Sequence, residues 1–235
     1  MSDLQDKKEA KKNIGFGNKI SELRKEFGSL PAAILAEHSG CAFFQISTDT
    51  GEFRFDFFEK PVIVTYPEGI VFSEKREAIS EFQQLMLFYY FLTADGVEPT
   101  GKFISFADLP DGRIYAAAYQ GYTGHELVQC FGENIIALKS ACEAQMGQPI
   151  QLADAAFNFL VFPKITIQLV YWLGEDDFPS SCQILFDACA RHYLPIDACA
   201  MLGSMLTKKL IKSYQIEKNE GTSTSDRFQI SQIPR

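Results

Sequence analysis

The chain has 235 residues and a formal net charge of −8 at pH 7. This acidic balance argues against binding to a nucleic acid backbone, which requires clustered Lys and Arg side chains. Hydrophobic residues make up 46% and charged residues 22% of the chain, proportions that are typical of a globular protein with a large core.

The sequence contains neither a predicted membrane span nor a predicted secretion signal. No window reaches the roughly 20 consecutive apolar residues of a transmembrane helix. The N-terminal residues are too polar for a secretory signal peptide. We therefore predict a cytoplasmic protein without a membrane partner, whose six Cys residues are reduced thiols rather than disulfides.

The N-terminal part of the chain predicts a disordered leader and two helices. Residues 1–13 alternate charges without an apolar stripe, which is typical of disorder. Apolar residues then recur at helical spacing from Asn18, and Gly28 ends this first helix. A second helix is predicted between Pro31 and Gly40.

Two hairpins and a long helix are predicted next. The strands cover residues 42–46, 53–57, 62–66 and 70–72, and their alternating pattern indicates an antiparallel sheet with one solvent-exposed face. The helix is predicted from Glu74 to Thr93, with Ser73 as its cap. Four further elements are predicted, namely strands over residues 102–106 and 113–119 and helices over residues 125–131 and 133–146.

The last third of the chain concentrates the most reactive side chains. We predict a buried hairpin over residues 153–173 and then an acidic loop. A helix over Ser181–Arg191 and a final helix over Ile196–Tyr214 are predicted to follow. Residues 215–235 are polar and predict a disordered tail.

Strands and helices come in runs rather than in strict alternation, which predicts an α+β fold. We expect a mostly antiparallel mixed sheet with several packed helices and two closing helices at the C-terminus. The two groups of strands could form one continuous sheet. We predict one compact domain over residues 14–214.

Several well-known catalytic and nucleotide-binding signatures do not occur in the sequence. It has no phosphate-binding P-loop, no Gly-rich dinucleotide fingerprint, no Gly-x-Ser-x-Gly elbow and no His-Glu-x-x-His. The sequence therefore assigns no cofactor and no catalytic residue.

The acidic loop, Glu175–Asp176–Asp177, offers hard oxygen ligands for a divalent cation. It lacks the alternating ligands and the Gly of an EF-hand, so we favour a solvated loop.

Cys182, Cys189 and His192 have a spacing that could align them on one helix face, with Cys199 nearby. Such a set could hold zinc. Because no Cys-x-x-Cys is present and Cys is also a common core residue, we assign no metal site.

Asp187 lies in an otherwise apolar run, Ile184–Cys189. A buried carboxylate needs a partner, and we expect Arg113, Arg191 or a backbone amide to supply it. One interpretation is a buried, hydrogen-bonded brace. The other is a pocket acid that pairs with a ligand or with His192.

Several short motifs follow one another in a characteristic order over the second half of the chain. They are Leu109–Tyr115, Phe162–Lys164, Tyr171–Pro179, Ile184–Asp187 and Tyr193–Asp197. Together they resemble an uncharacterised prokaryotic family catalogued as domain of unknown function 3786, over about Ser29 to Tyr214. The resemblance implies no established activity. Some relatives resemble proteins with an added iron–sulfur domain, similar to corrinoid iron–sulfur proteins of anaerobic metabolism, but this chain lacks such a run of cysteines.

The leading hypothesis is a cytoplasmic ligand-binding or accessory protein, linked through the resemblance to anaerobic corrinoid or iron–sulfur metabolism. The predicted ligand-binding residues are Arg113, Trp172, Glu175, Asp176, Asp187, His192 and Asp197. The expected partner is a small molecule, another protein or a second copy of the chain. The alternative is a metal-dependent enzyme that uses these carboxylates and the histidine.

Overall fold

The computed structural model describes residues 17–229, with side chains described up to residue 219. The predicted leader, residues 1–13, lies outside this range. Two antiparallel sheets, of four and five strands, combine with several helices. This confirms the predicted α+β class.

No helix in the described part of the chain combines the length and the apolar character needed to span a bilayer.

The first sheet consists of four consecutive strands in the order β1–β2–β3–β4. The strands are β1 (Ala42–Gln45), β2 (Gly51–Phe57), β3 (Lys60–Tyr66) and β4 (Val71–Ser73). Each adjacent pair is antiparallel, and Phe53 lies opposite Val64 on the buried face. Both hairpins predicted for this region are therefore confirmed.

Helices precede and follow this sheet. They are α1 (residues 17–29), α2 (Ala32–Ser39) and α3 (Glu81–Thr93). The predicted start of the long helix at Glu74, capped by Ser73, is wrong because a turn at Glu74 and Lys75 follows the strand and the helix begins only at Glu81. Ser73 belongs to β4, and the next residues turn back so that Ala78 bridges to Phe72.

The second sheet has the strand order β5–β9–β8–β7–β6. Its strands are β5 (Phe103–Ile104), β6 (Gln148–Pro149), β7 (Ala155–Phe162), β8 (Ile165–Trp172) and β9 (Ser181–Asp187). The predicted hairpin over residues 153–173 corresponds to β7 and β8. The two groups of strands form separate sheets, so the suggestion of one continuous sheet is wrong.

The remaining helices are α4 (Gly112–Gly121), α5 (Gly124–Phe131), α6 (Ile135–Ala144) and α7 (Ile196–Gln229). Two short 3₁₀ helices cover Phe106–Asp108 and Ala188–His192. The strand predicted over residues 113–119 is wrong, since these residues lie in α4. Its Ala-rich centre has a high helix propensity, which outweighs the β preference of the Ile and Tyr at its start.

The first of the two predicted closing helices, Ser181–Arg191, is also wrong. Residues Ser181–Asp187 form β9, in which Cys182, Ile184 and Phe186 are buried at alternate positions. The second closing helix is confirmed as α7. Its backbone continues to Gln229, past residue 215, where the polar tail was predicted to begin.

The chain divides into two compact units. The first unit takes in the described residues up to Ile104 together with Leu160–Thr166 and Phe186–Cys199. The second takes in Ser105–Phe159, Ile167–Leu185 and the described residues from Ala200. The single domain over residues 14–214 stays a prediction.

Each unit has a core of its own. In the first, the Phe27 ring makes edge contacts with Phe53, Phe88 and Phe91 at centroid distances of 5.2–5.6 Å. Such aromatic pairs contribute about 0.5–1.5 kcal/mol each beyond the burial of their area. In the second unit, large apolar side chains such as Leu138, Phe157 and Ile167 are fully or almost fully buried.

Candidate functional site

The residues predicted to bind a ligand lie in both units. Asp187, His192 and Asp197 belong to the first unit, whereas Arg113, Trp172, Glu175 and Asp176 belong to the second. Their role in binding a ligand stays a prediction.

Asp187 is the last residue of β9 and is only 2% exposed. Its Oδ1 accepts hydrogen bonds from the backbone N–H of Thr100 at 3.0 Å and of Cys189 at 2.8 Å, and from the Thr100 hydroxyl at 2.7 Å. Its Oδ2 accepts one from the Gly101 N–H at 2.7 Å. Backbone amides, one of the three kinds of partner predicted, are thus confirmed, and Asp187 is a hydrogen-bonded brace.

These donors determine the charge state of the carboxyl group. Burial alone would raise the pKa of Asp187, but the hydrogen bonds from Cys189 and Thr100 outweigh burial and lower the pKa below its ordinary value. Asp187 is therefore ionised at neutral pH. An ionised carboxylate with this many donors contributes rigidity to the end of β9.

His192 contacts a different carboxylate from the one considered in the sequence. Its Nδ1 lies 2.6 Å from Oδ2 of Asp95, and its Nε2 accepts a hydrogen bond from Nε of Arg191 at 3.2 Å. Because Nε2 accepts, a proton on Nδ1 suits this arrangement, with Asp95 as its acceptor. Burial raises the pKa of Asp95, but the hydrogen bonds from His192 and Val97 lower it below its ordinary value.

A carboxylate–imidazole pair of this kind can orient a general base. Here, however, the basic nitrogen of His192 is occupied by the Arg191 guanidinium. The arrangement therefore suits holding Asp95 in place better than it suits proton transfer.

Asp95, Thr100 and Gly101 all belong to one loop, residues 94–102, which we call the tethered loop. A hydrogen bond and a salt bridge within the first unit also hold this loop. The Tyr193 hydroxyl donates to the carbonyl of Val97, and Nζ of Lys164 lies 2.5 Å from Oε1 of Glu98. The loop is thus fixed along its length. Sequence reasoning missed it because its partners lie 66–97 residues away along the chain.

Trp172, the only tryptophan, ends β8 and is 38% exposed. Beyond it, Glu175 and Phe178 exchange two backbone hydrogen bonds of 3.0 and 2.8 Å across a two-residue turn. Asp176 has a φ of +47° in this turn, a conformation that Asp tolerates better than most residues. We call the segment Trp172–Phe178 the acidic hairpin.

Hydrogen bonds from two other segments brace the base of the acidic hairpin. The Gly174 N–H donates to Oγ of Ser180 at 3.0 Å, and the Ser180 hydroxyl donates to Oε1 of Glu133. The Leu173 N–H donates to Oδ2 of Asp154 at 2.8 Å. The exposed tip therefore projects from a fixed base.

The remaining predicted residues are surface residues. Arg113 lies in the first turn of α4 and is exposed. Asp197 lies in the first turn of α7 and is also exposed, where its charge complements the helix dipole.

All six cysteines are free thiols. Burial raises the pKa of Cys41, Cys189 and Cys199 to about 12, so these thiols are protonated at neutral pH. The predicted alignment of Cys182 with Cys189 on one helix is wrong because Cys182 lies on β9.

Within residues 17–219, no group of three or more His, Cys, Asp or Glu side chains is arranged to hold a metal ion.

A family model described as a domain of unknown function (DUF3786) matches residues 35–209, about three quarters of the chain. No curated protein and no solved structure gave a significant match. The matched range contains the motifs from Leu109–Tyr115 to Tyr193–Asp197 that carry the resemblance. The chain therefore belongs to this family, defined by a domain of unknown function.

Proposed function

We propose that this protein is a ligand-binding, accessory protein and that its acidic hairpin forms the contact surface. The observation that carries the proposal is the exposure of Phe178, 79% of which is accessible although the hairpin beneath it is braced. Trp172 adds a second, partly exposed ring. Aromatic side chains presented on a rigid base are typical contact anchors.

The energy of such a contact is sufficient for recognition. Burying one Phe side chain contributes about 1.5–3 kcal/mol. Because the hairpin is already fixed, little conformational entropy is lost when it binds.

The charges next to the rings indicate the chemistry of the partner. Glu175, Asp176 and Asp177 are all exposed, and the whole chain carries a net charge of −8. A complementary partner has basic groups around an apolar patch. The resemblance points to anaerobic corrinoid and iron–sulfur metabolism in a prokaryotic cytoplasm. A corrinoid, or a protein that carries a corrinoid or an iron–sulfur cluster, is therefore the first ligand to test.

Trp172 makes the proposal directly testable, since any change in tryptophan emission originates at the hairpin. We expect such a ligand to change this emission. Phe178→Ser should weaken binding at least tenfold, whereas Ile114→Ser, which changes a side chain that is 78% exposed on α4, should leave the affinity unchanged.

Two outcomes would count against this function. One is unchanged emission with free corrinoids and with corrinoid and iron–sulfur proteins. The other is stoichiometric metal in protein purified without chelators, which would favour the metal-dependent enzyme.

A further inference from the structure

The first unit contains an open cavity of about 410 Å³ beside the hairpin turn that joins β1 to β2. This volume lies within the range of roughly 300–1,000 Å³ that is common for small-molecule sites. The side chains that determine its chemistry are Phe43, Gln45, Thr48, Asp49, Thr50 and Tyr66. None of them was singled out as a site residue from the sequence.

Two aromatic rings contribute a fixed apolar wall. Phe43 and Tyr66 meet edge to face with their centroids 5.9 Å apart. The Tyr66 hydroxyl donates to the carbonyl of Leu30 at 3.0 Å, which holds that ring in place. A Cβ atom at Gly51 would lie 2.4 Å from the Phe43 ring, so the ring packs directly on the backbone there. The wall is preformed.

The other side chains of the lining offer hydrogen-bond acceptors and hydroxyl groups. The Thr50 hydroxyl forms a hydrogen bond of 2.8 Å with the hydroxyl of Ser47, which lies outside the lining. Nε2 of Gln45 lies 3.4 Å from the carbonyl oxygen of Thr48, which leaves Oε1 of Gln45 as an acceptor. Asp49 contributes an exposed carboxylate. Of the residues that line the cavity, Asp49 alone carries a charge.

We propose that this cavity binds a small organic ammonium ion. A carboxylate next to aromatic rings is the combination that recognises alkylammonium groups, through charge attraction and cation–π contact. Gln45 and the Thr hydroxyls can accept the remaining N–H donors. The net charge of −8 favours the approach of a cation. This site lies in the first unit and does not depend on the function proposed for the acidic hairpin.

The test is calorimetric titration of the full-length protein with three probes of similar size, n-butylammonium, butan-1-ol and butyrate. We expect the ammonium ion to bind at least tenfold more tightly than either of the others. Asp49→Asn should weaken ammonium binding at least tenfold, and Phe43→Leu should weaken it severalfold. Asp56→Asn removes an exposed carboxylate on β2, outside the cavity lining, and should leave binding unchanged.

A further arm distinguishes a free amine from a lysine side chain. The tripeptide Gly-Lys-Gly with an acetylated N-terminus and an amidated C-terminus, whose one ammonium is the lysine side chain, should bind more weakly than n-butylammonium if the ligand is a free small molecule. Equal affinity would identify a lysine of a partner chain, and either result supports the ammonium site. Phe178→Ser should not alter ammonium binding, so failure of the hairpin proposal is distinguishable from failure of this one.

Three results would overturn the ammonium site. They are the absence of ammonium binding at millimolar concentration, equal binding of butan-1-ol and unchanged affinity in Asp49→Asn. Circular dichroism and the thermal midpoint of each variant establish that the fold is intact.

Discussion

Gly101 and Asp187 are 86 residues apart in the sequence, yet the Gly101 N–H donates to Oδ2 of Asp187 at 2.7 Å. Gly101 has a φ of +69°, which a residue with a side chain rarely adopts. Together with Thr100 it connects the tethered loop to the end of β9. Removing a buried carboxylate leaves its hydrogen-bond donors without an acceptor. The resulting loss of stability is larger than the net stability that the hydrogen bonds contribute. This contact should therefore control the stability of the first unit.

Asp187→Asn is expected to lower the free energy of unfolding by about 3 kcal/mol. The amide group of Asn replaces one acceptor oxygen with a donor, which leaves at least one buried N–H without a partner. Urea denaturation monitored by circular dichroism measures the loss. Asp56→Asn, at an exposed position of β2, should cost less than about 0.5 kcal/mol. A loss as small for Asp187→Asn would show that the brace is unimportant.

Acidic pH should destabilise the protein through two carboxyl groups. Hydrogen bonds from Arg76 and Arg54 lower the pKa of Glu52, which is 4% exposed, and the pKa of Asp187 is also lowered. Each carboxyl binds fewer protons in the folded state than in the unfolded state. Its contribution is therefore complete well above the unfolded pKa, about 4, and is lost as the pH falls through the folded value.

Unfolding free energies measured between pH 6 and pH 3 test this expectation. They should decrease as the pH falls below about 4. The decrease should be shallower in Asp187→Asn and in Glu52→Gln, because each variant lacks one of the titrating groups. The same slope in the wild type and both variants would contradict the assignment.

Local patterns predicted the first sheet, whereas long-range pairing determined β9. The segment around Phe53 alternates strictly, the segment around Val64 is rich in β-branched residues, and both flank turn residues, so they fit strands. The segment Ser181–Asp187 has apolar residues at both odd and even positions in its second half. Its local pattern fits a helix as well as a strand, and pairing with β5 and β8 decides the outcome.

The candidate site shows the same division. The position of Asp187 in an apolar run predicts a buried carboxylate that requires a hydrogen-bond partner, and Asp187 is indeed buried. The identity of the partners, Thr100 and Gly101, depends on a contact across 86–87 residues. No local signal distinguishes Asp95 from other acidic loop residues, so the contact between Asp95 and His192 could not be predicted from the sequence either.

Gly121 in α4 and Gly124 in α5 offer a matched comparison of packing, since both lie in helices of the second unit. A Cβ atom at Gly124 would lie 2.1 Å from the carbonyl oxygen of Cys182, whereas one at Gly121 would meet nothing within 4 Å. Gly124→Ala should therefore destabilise the protein by about 1–3 kcal/mol or more.

Gly121→Ala is the control, and it should be neutral or stabilising by up to about 1 kcal/mol because Ala restricts the unfolded chain. Thermal unfolding of both variants measures the difference. Equal midpoints would mean that α5 does not approach β9 as closely as the structure shows.

Ser80→Ala should cost about 1 kcal/mol by removing the cap of α3. The Ser80 hydroxyl oxygen accepts from the Gln83 N–H, and the Gln83 side chain accepts from the Ser80 N–H, which completes a capping box. Ser73→Ala tests the cap that was expected from the sequence and should have a smaller effect. A larger loss for Ser73→Ala than for Ser80→Ala, measured by urea denaturation, would place the start of the helix earlier.

We expect the tautomer of His192 that carries its proton on Nδ1, because Nε2 accepts a hydrogen bond from Arg191. Asp95 accepts from Nδ1 at 2.6 Å, and Arg191 donates to Nε2 at 3.2 Å, so both neighbours favour this tautomer. Nitrogen-15 NMR of the imidazole ring distinguishes a protonated Nδ1 from a protonated Nε2. In Asp95→Asn the preference should weaken, because the charged acceptor that holds the proton on Nδ1 is lost. A proton on Nε2 in the wild type would contradict the hydrogen bond from Arg191 and with it this assignment of the pair.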